Sequence, residues 1–473
     1  MISPTTILTI VDGVQIVVPD SLELITPYVL REQQDWFEDE IKFLRRLLKP
    51  GYKVMDIGAN YGVYTLSMAQ AVGPSGRVWA FEPASSTASL LTEGIAANGF
   101  AHVTFERTAL SSTRGTAQLS LNLNSELNAL VHDNLSTSDS ETVPVVTLDD
   151  CLETYDWRNI DFMKIDAEGE EANILKGGER FFAELSPLVQ YEVKAGSGLH
   201  MELVQAFASI GYDSYRLVPG LDLLIPFEAE TQPDGYLLNL FCCKPDRVAQ
   251  LAAQGFLLNP VDLRKGAEWF KDRSKKSGSR NVYDWRNTLV KLPYGAELAN
   301  LWEQTMAAGQ SGVVDKALSF YAASRDSSLS PAERFYALAG SFIRFSFLCE
   351  REPSHLRLAS LARVARDYGA RSISVNALVQ LSNTIFQNNQ LDPSEPFLAP
   401  CERFDFVPSG EVLANWVLSA VLEELERSGS FSSFYTGDSS RQRLEIIRDL
   451  GFGSAEMERR LMLVQQRFSL PRK

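Results

Sequence analysis

The stretch VMDIGANYGVYTLSMA over residues 54–69, followed by RVWAFEP over 77–83, constrains this chain more than any other. An apolar run ends in Asp56, a turn through Gly58 and Gly62 opens a helix, and a second apolar run ends at Glu82. That is the layout of a nucleoside-cofactor site at the carboxyl edge of a parallel sheet. The turn reads D-x-G-x-x-x-G, not the G-x-G-x-x-G of dinucleotide sites, whose glycines let backbone approach a pyrophosphate. Asp56 would repel a pyrophosphate and attract an ammonium group. S-adenosylmethionine carries an ammonium, a ribose diol and a sulfonium, and no phosphate. Glu82 is suited to accept hydrogen bonds from both ribose hydroxyls. One strand–helix–strand unit separates the two acids, so both reach the same edge. The expected cofactor-binding set is Asp56, Gly58, Asn60, Tyr61, Gly62, Glu82 and Pro83. The competing reading is a flavodoxin-like or NAD-binding domain with coincidental acids.

Further motifs narrow the field. KIDAEGEEANILKGGE (164–179), TLDDC (147–151), PLVQYEV (187–193), DWFEDEI (35–41) and LLKPG (47–51) resemble the FkbM family of S-adenosylmethionine-dependent methyltransferases, over residues 21–244 or so. The resemblance implies an α/β class I methyltransferase fold with a Rossmann-like seven-stranded sheet, the last strand antiparallel. It also implies O-methylation of hydroxyls on sugars, glycolipids or polyketides, and it places Ala109 and Leu110 against the adenine ring. Fold and motif do not fix the acceptor.

At 473 residues and 45% hydrophobic, the chain can bury a substantial core and is too long for one ordinary domain. A net charge of −15 disfavours a phosphate backbone as partner, so no nucleic acid is expected. The five cysteines have no metal-ligand or disulfide spacing, and no apolar run approaches a membrane span. Asp12 and the lack of a basic leader argue against a signal peptide, so a cytoplasmic protein is expected. Thr5 to Pro19 reads as a hairpin, because Asp12-Gly13 suits a type I′ turn.

Residues 1–50 are read as this hairpin and a leading helix over 36–48, and 51–248 as the methyltransferase domain. Strands are expected at 53–57, 78–82, 102–106, 162–165 and 188–193, with an edge pair near 212–218 and 236–243. Helices are expected over 63–71, 86–98, 170–184 and 201–211. Residues 119–140, polar and aperiodic, read as a long loop or irregular hairpin above the sheet. The Lys/Ser/Gly run near 271–280 marks a linker over 249–285. An all-α domain, possibly repeat-like, fills 286–473, either an irregular bundle with its own core or a solenoid that docks a protein partner.

Methyl transfer to an alcohol needs the acceptor oriented and its proton removed, by groups at the ends of the fourth and fifth strands. Asp166, Glu168 and Glu192 are the acids there, and two such acids side by side raise one pKa. They could equally hold Mg²⁺ or cap the following helix; the base reading is preferred and no metal is assigned. Lys164 reads as a structural ion-pair partner. Of the four histidines, His102 and His355 fall away from the edge, while His132 and His200 lie on loops that could reach the acceptor, and His200 is preferred. Trp36 reads as packing of the leading helix, with WFEDE over 36–40 as an alternative cleft lining. The leading expectation is an O-methyltransferase for a carbohydrate or glycolipid hydroxyl. A polyketide or other small-molecule acceptor, and a cofactor-binding scaffold whose helical domain mediates protein interaction, are the alternatives.

Overall fold

The computed structural model describes residues 4–131, 139–195, 198–228, 233–275, 283–308, 312–388 and 391–469. It divides into two compact units. The first comprises Met1–Leu217, Pro226–Thr231 and Leu237–Ala253; the second comprises Val218–Ile225, Gln232–Tyr236 and Gln254–Lys473.

The first unit opens with the expected hairpin, Thr5–Thr9 against Gln15–Pro19. Asp12 and Gly13 both take positive φ, 61° and 75°, as a type I′ turn requires. A helix not foreseen from sequence, Ile25–Gln33, follows; the leading helix is shorter than expected and spans Asp39–Leu47.

The main sheet has eight strands in the order Leu223–Pro226, Asp213–Val218, Asn239–Cys243, Leu188–Glu192, Phe162–Ile165, Lys53–Ile57, Arg77–Phe81, Val103–Glu106. The five from Leu188–Glu192 to Val103–Glu106 are parallel, and Asn239–Cys243 runs antiparallel to both of its neighbours. Numbered along the chain, the seven strands from Asp213–Val218 onward stand as 6-7-5-4-1-2-3, the class I methyltransferase order; Leu223–Pro226 is an additional edge strand. Burial explains the sequence pattern. Residues 54–57, 78–81 and 162–165 are buried throughout, as parallel strands covered on both faces must be.

Two expectations are corrected and one is refined. The helix expected over 170–184 is two short helices, Glu171–Lys176 and Glu179–Glu184. They part at Gly177, where a Cβ would stand 2.2 Å from the carbonyl oxygen of Ser111; the close backbone approach interrupts the helix. The stretch over 119–140, expected as a long loop or irregular hairpin, includes a hairpin, Gly115–Ser120 against Ala129–Val131, that belongs to a small second sheet, ordered Ala109–Leu110, Ser140–Val146, Gly115–Ser120, Ala129–Val131. Its strands bury only a small apolar patch with Ala84, Ala109, Leu119, Val143 and Val145, too little to stand out in the sequence. Part of that segment, with His132, lies outside the described residues.

The other correction concerns 249–285, read as a linker. Most of it is helical, Pro245–Gln254 and Pro260–Lys275. Trp269 and Phe270 pack against Phe320, Ala323 and Ala337, so the charged surface of the second helix hides a packed face. The rest of the second unit is helical and includes Pro293–Ala307, Gly312–Ser324, Pro331–Arg351, His355–Tyr368, Arg371–Asn388 and Leu413–Ser428. Successive helices of this series from Gly312 onward pack on one another. Ser330 and Glu333 form a capping box that starts the longest of them. Tyr294 packs edge-on against Trp302 and tilted against Phe397 and Trp416 within the core. No described helix is long and apolar enough to cross a membrane.

Candidate active site

Asp56, Lys164 and Gln190 stand side by side on adjacent strands, and this polar row is the floor of the site. All three are buried, at 1%, 4% and 0% exposure. Lys164 Nζ lies 2.6 Å from Asp166 Oδ2 and 4.7 Å from the centre of the Tyr64 ring. Burial opposes its charge, but Asp166, Asp56 and Glu38 together raise its pKa above the usual lysine range. Asp56 Oδ2 accepts from the Thr65 hydroxyl at 2.5 Å. Its Oδ1 is buried without a partner among the described residues, and burial raises the carboxyl's pKa despite Lys164.

The turn after the first strand is held by a close approach of two strand ends. A Cβ on Gly58, whose φ is +83°, would stand 1.7 Å from the carbonyl oxygen of Asp166. Asn60 continues the turn at φ 49°, and Gly62 starts the helix Val63–Val72. Glu82 is buried and its carboxyl is pushed up by desolvation. Its Oε2 accepts from Asn60 N–H at 2.9 Å; its Oε1 accepts from Ala84 N–H at 3.0 Å and the Thr87 hydroxyl at 2.8 Å. With two lone pairs per oxygen, one remains on Oε2. Glu82 therefore has room for one ribose hydroxyl, not the two expected.

These residues face a cleft. Of the expected cofactor set, Asp56, Gly58, Asn60, Tyr61, Glu82, Pro83, Ala109 and Leu110 line it, whereas Gly62 does not. Asp166 and Glu168 line it as well. Glu192 stands at the end of the neighbouring strand, and the carboxylates of Asp166, Glu168 and Glu192 reach within 4.8 Å of one another. Glu168 is exposed. Partial desolvation of its carboxyl, with the charges of Asp166 and Glu171, pushes its pKa up to about 8. Desolvation, then Asp166 and Glu168, push Glu192 to about 9.

His200 is outside this arrangement. It is exposed, its backbone N–H donates to the Val193 carbonyl at 2.7 Å, and it precedes the helix Met201–Ser209. His102 Nε2 lies 2.9 Å from the Ala69 carbonyl, away from the cleft.

Several lining residues precede the first strand. Trp36 lines the cleft and was misread as packing; Thr26 and Glu38 join it. Glu38 accepts from the Tyr64 hydroxyl, from Asn239 Nδ2 at 3.3 Å and from the Trp36 side chain. Desolvation raises its carboxyl's pKa. From the turn Ser125–Leu127, which joins two strands of the small sheet, come Ser125 and Glu126. The Ser125 hydroxyl donates to Asn60 Oδ1 at 3.0 Å, and Glu126 accepts from the hydroxyl and backbone N–H of Thr26. This brings the small sheet and the helix Ile25–Gln33 together beside the cleft. The motif WFEDE signalled part of this set, and the polar run over 119–140 was read as lying above the sheet, though nothing in it singled out Ser125 or Glu126.

The strand order and the acid-ended first turn define a class I methyltransferase domain. Residues 56–214 match the family described as the Methyltransferase FkbM domain, so the chain carries an FkbM methyltransferase domain, and its cofactor is S-adenosylmethionine. Methyltransferase sdnD of Sordaria araneosa is 28% identical over 193 residues, 34% of this chain and 74% of that protein. An S-adenosylmethionine-dependent methyltransferase of Aquifex aeolicus matches at 16% identity and a TM-score of 0.26, over 46% of this chain and 92% of that one. A Thermotoga maritima S-adenosylmethionine-dependent O-methyltransferase matches at 15% and 0.24, over 51% and 78%. The residues fit the cofactor: Asp56 Oδ1, buried without a donor among the described residues, suits its ammonium, and Glu82 keeps one lone pair for a ribose hydroxyl.

Proposed function

We propose that the first unit is an S-adenosylmethionine-dependent O-methyltransferase for a hydroxyl of a carbohydrate or glycolipid. The observation that carries this reading is the acid pair ending the fourth strand: Asp166 is tied to Lys164, while Glu168 beside it titrates near 8. The bound cofactor supplies an electrophilic methyl group. Asp56, Glu82, Pro83, Ala109, Leu110 and the 58–61 turn are the residues to hold it. The remaining task is to orient an alcohol and take its proton.

Glu168 is the group for that step. A base works best when its pKa lies near the working pH, and its carboxyl stands at the cleft wall. Asp166, the base first expected from sequence, has Oδ2 committed to Lys164, which makes it a positioning residue for the turn that carries Glu168. The half-buried Trp36 offers the flat apolar surface on which a sugar ring stacks. The test is an assay of S-adenosylhomocysteine release with a panel of saccharides, glycolipids and hydroxylated polyketides, and nuclear magnetic resonance of the product. A methyl ether on a sugar supports the reading. A methyl on nitrogen or carbon, or turnover confined to polyketides, overturns it.

A further inference from the structure

Glu82 accepts from Asn60 N–H, Ala84 N–H and the Thr87 hydroxyl, so a ribose can place one hydroxyl on it and the other needs a second acceptor. Asn60, whose N–H meets Glu82 Oε2, leads to the turn Ser125–Leu127 through its side chain. Asn60 Oδ1 accepts from the Ser125 hydroxyl at 3.0 Å and from Tyr61 N–H at 2.8 Å, which fills it. Ser125 Oγ gives its proton to Asn60 and meets the Tyr61 hydroxyl on another side, which leaves it one lone pair. Burial pushes the Tyr61 hydroxyl up to about 12, with the contact to Ser125 opposing and the charges of Glu126 and Glu82 adding. All five residues, Asn60, Tyr61, Glu82, Ser125 and Glu126, line the cleft.

The turn is held there by a helix that does not cap itself. Ile25–Gln33 follows Leu24, whose side chain offers no acceptor, and the turn meets its first two N–H groups instead. Ile25 N–H donates to Asn124 Oδ1 at 3.1 Å and Thr26 N–H to Glu126 Oε1 at 3.2 Å, with the Thr26 hydroxyl on the same oxygen. A carboxylate is favoured at that end of a helix dipole. The leucines of this stretch do not anchor it: Leu123 and Leu127 are 79% and 54% exposed.

We propose that Ser125 is a cofactor-binding residue that accepts the ribose hydroxyl for which Glu82 has no room, and that Asn124 and Glu126 position it by capping the helix Ile25–Gln33. The ribose diol is then shared between the edge of the main sheet and the turn, one hydroxyl to each. This concerns the cofactor and holds whichever acceptor is methylated.

The full-length protein and its Ser125→Ala and Glu126→Ala variants are titrated by calorimetry with S-adenosylhomocysteine and its 2′-deoxy and 3′-deoxy analogues. Ser125→Ala should bind S-adenosylhomocysteine about 3–10-fold more weakly than the wild type does, the range of one neutral hydrogen bond. One deoxy analogue should bind variant and wild type equally, because the hydroxyl that Ser125 receives is already gone. The other should keep the full loss, since it still carries that hydroxyl. Glu126→Ala should spare the same analogue, because its effect passes through Ser125. The proposal is overturned if Ser125→Ala binds S-adenosylhomocysteine as the wild type does, or if its loss is the same for both analogues. It is overturned equally if Glu126→Ala weakens all three ligands alike, which is what a purely structural residue would do.

Discussion

Gly58 passes so near Asp166 that a Cβ on the glycine would lie 1.7 Å from the aspartate's carbonyl oxygen. The turn after the first strand and the turn after the fourth are thus one packed unit, and the cofactor side of the cleft cannot shift without moving the acid side. Gly58→Ala must strain a backbone at φ +83° and push the Asp166 carbonyl away. It should cost about 2–4 kcal/mol of stability and weaken cofactor binding as well. A thermal melt and calorimetry of the variant check this; wild-type values in both would mean that the approach is relieved at no cost.

Glu82 joins cofactor binding to local order. Glu82→Ala leaves the Asn60 and Ala84 N–H groups and the Thr87 hydroxyl without their acceptor. S-adenosylmethionine affinity should fall by about 1.5–3 kcal/mol, and the melting temperature should fall with it. Normal binding by the variant in calorimetry would take the ribose away from Glu82.

Turnover should follow the protonation of Glu168. A base is inactive while protonated, so kcat/KM, which follows the free enzyme, should be low near pH 6, rise through about 8 and level off above it. Glu168→Gln should lower kcat by about 10²–10⁴-fold and flatten the profile, with cofactor affinity unchanged. Asp166→Asn should move the rise to lower pH, because it removes a charge that holds the Glu168 pKa up, and should lower the rate because Lys164 loses its partner and the turn loosens. EDTA should change neither rate nor profile. Loss of activity on chelation, restored by Mg²⁺, would transfer the three acids to a metal.

The cut between the units is not a single point. Val218, Leu221, Leu223 and Ile225 belong to the core of the helical unit although they precede it in the chain. A fragment ending at Ala253 should therefore aggregate on size-exclusion chromatography. The same fragment with Leu221, Leu223 and Ile225 replaced by serine should elute as a monomer and bind S-adenosylhomocysteine. A well-behaved unmodified fragment would show that those side chains need no helical partner.

The strand ends were legible because a buried parallel strand is an unbroken apolar run, and an acid that breaks it marks the carboxyl edge. Asp56, Glu82 and Asp166 were all found that way. The rest of the cleft lining was less legible. Glu38 sits in a run with Asp35, Asp39 and Glu40, where a carboxylate buried beside Lys164 looks the same as its solvated neighbours. Trp36 could have served a core or a cleft equally well, since hydrophobicity does not tell the two apart. Gly177 was read through as helix because the carbonyl that breaks it belongs to Ser111, far away in sequence. The apolar run around Leu223 looked like any edge strand, and nothing local announced whose core it would join.

That last feature has a consequence for the newborn chain. Asn239–Cys243 is inserted between Leu188–Glu192 and Asp213–Val218, so the sheet stays open until residue 243 has left the ribosome. By then Val218–Ile225 and Gln232–Tyr236 have also emerged, while the Gln254–Lys473 stretch that completes their unit is still to be translated. A chain normally folds its first domain while the second is being made. Here translation exposes an apolar hairpin for the whole interval, and premature termination would yield a sheet that is complete and a surface that is sticky.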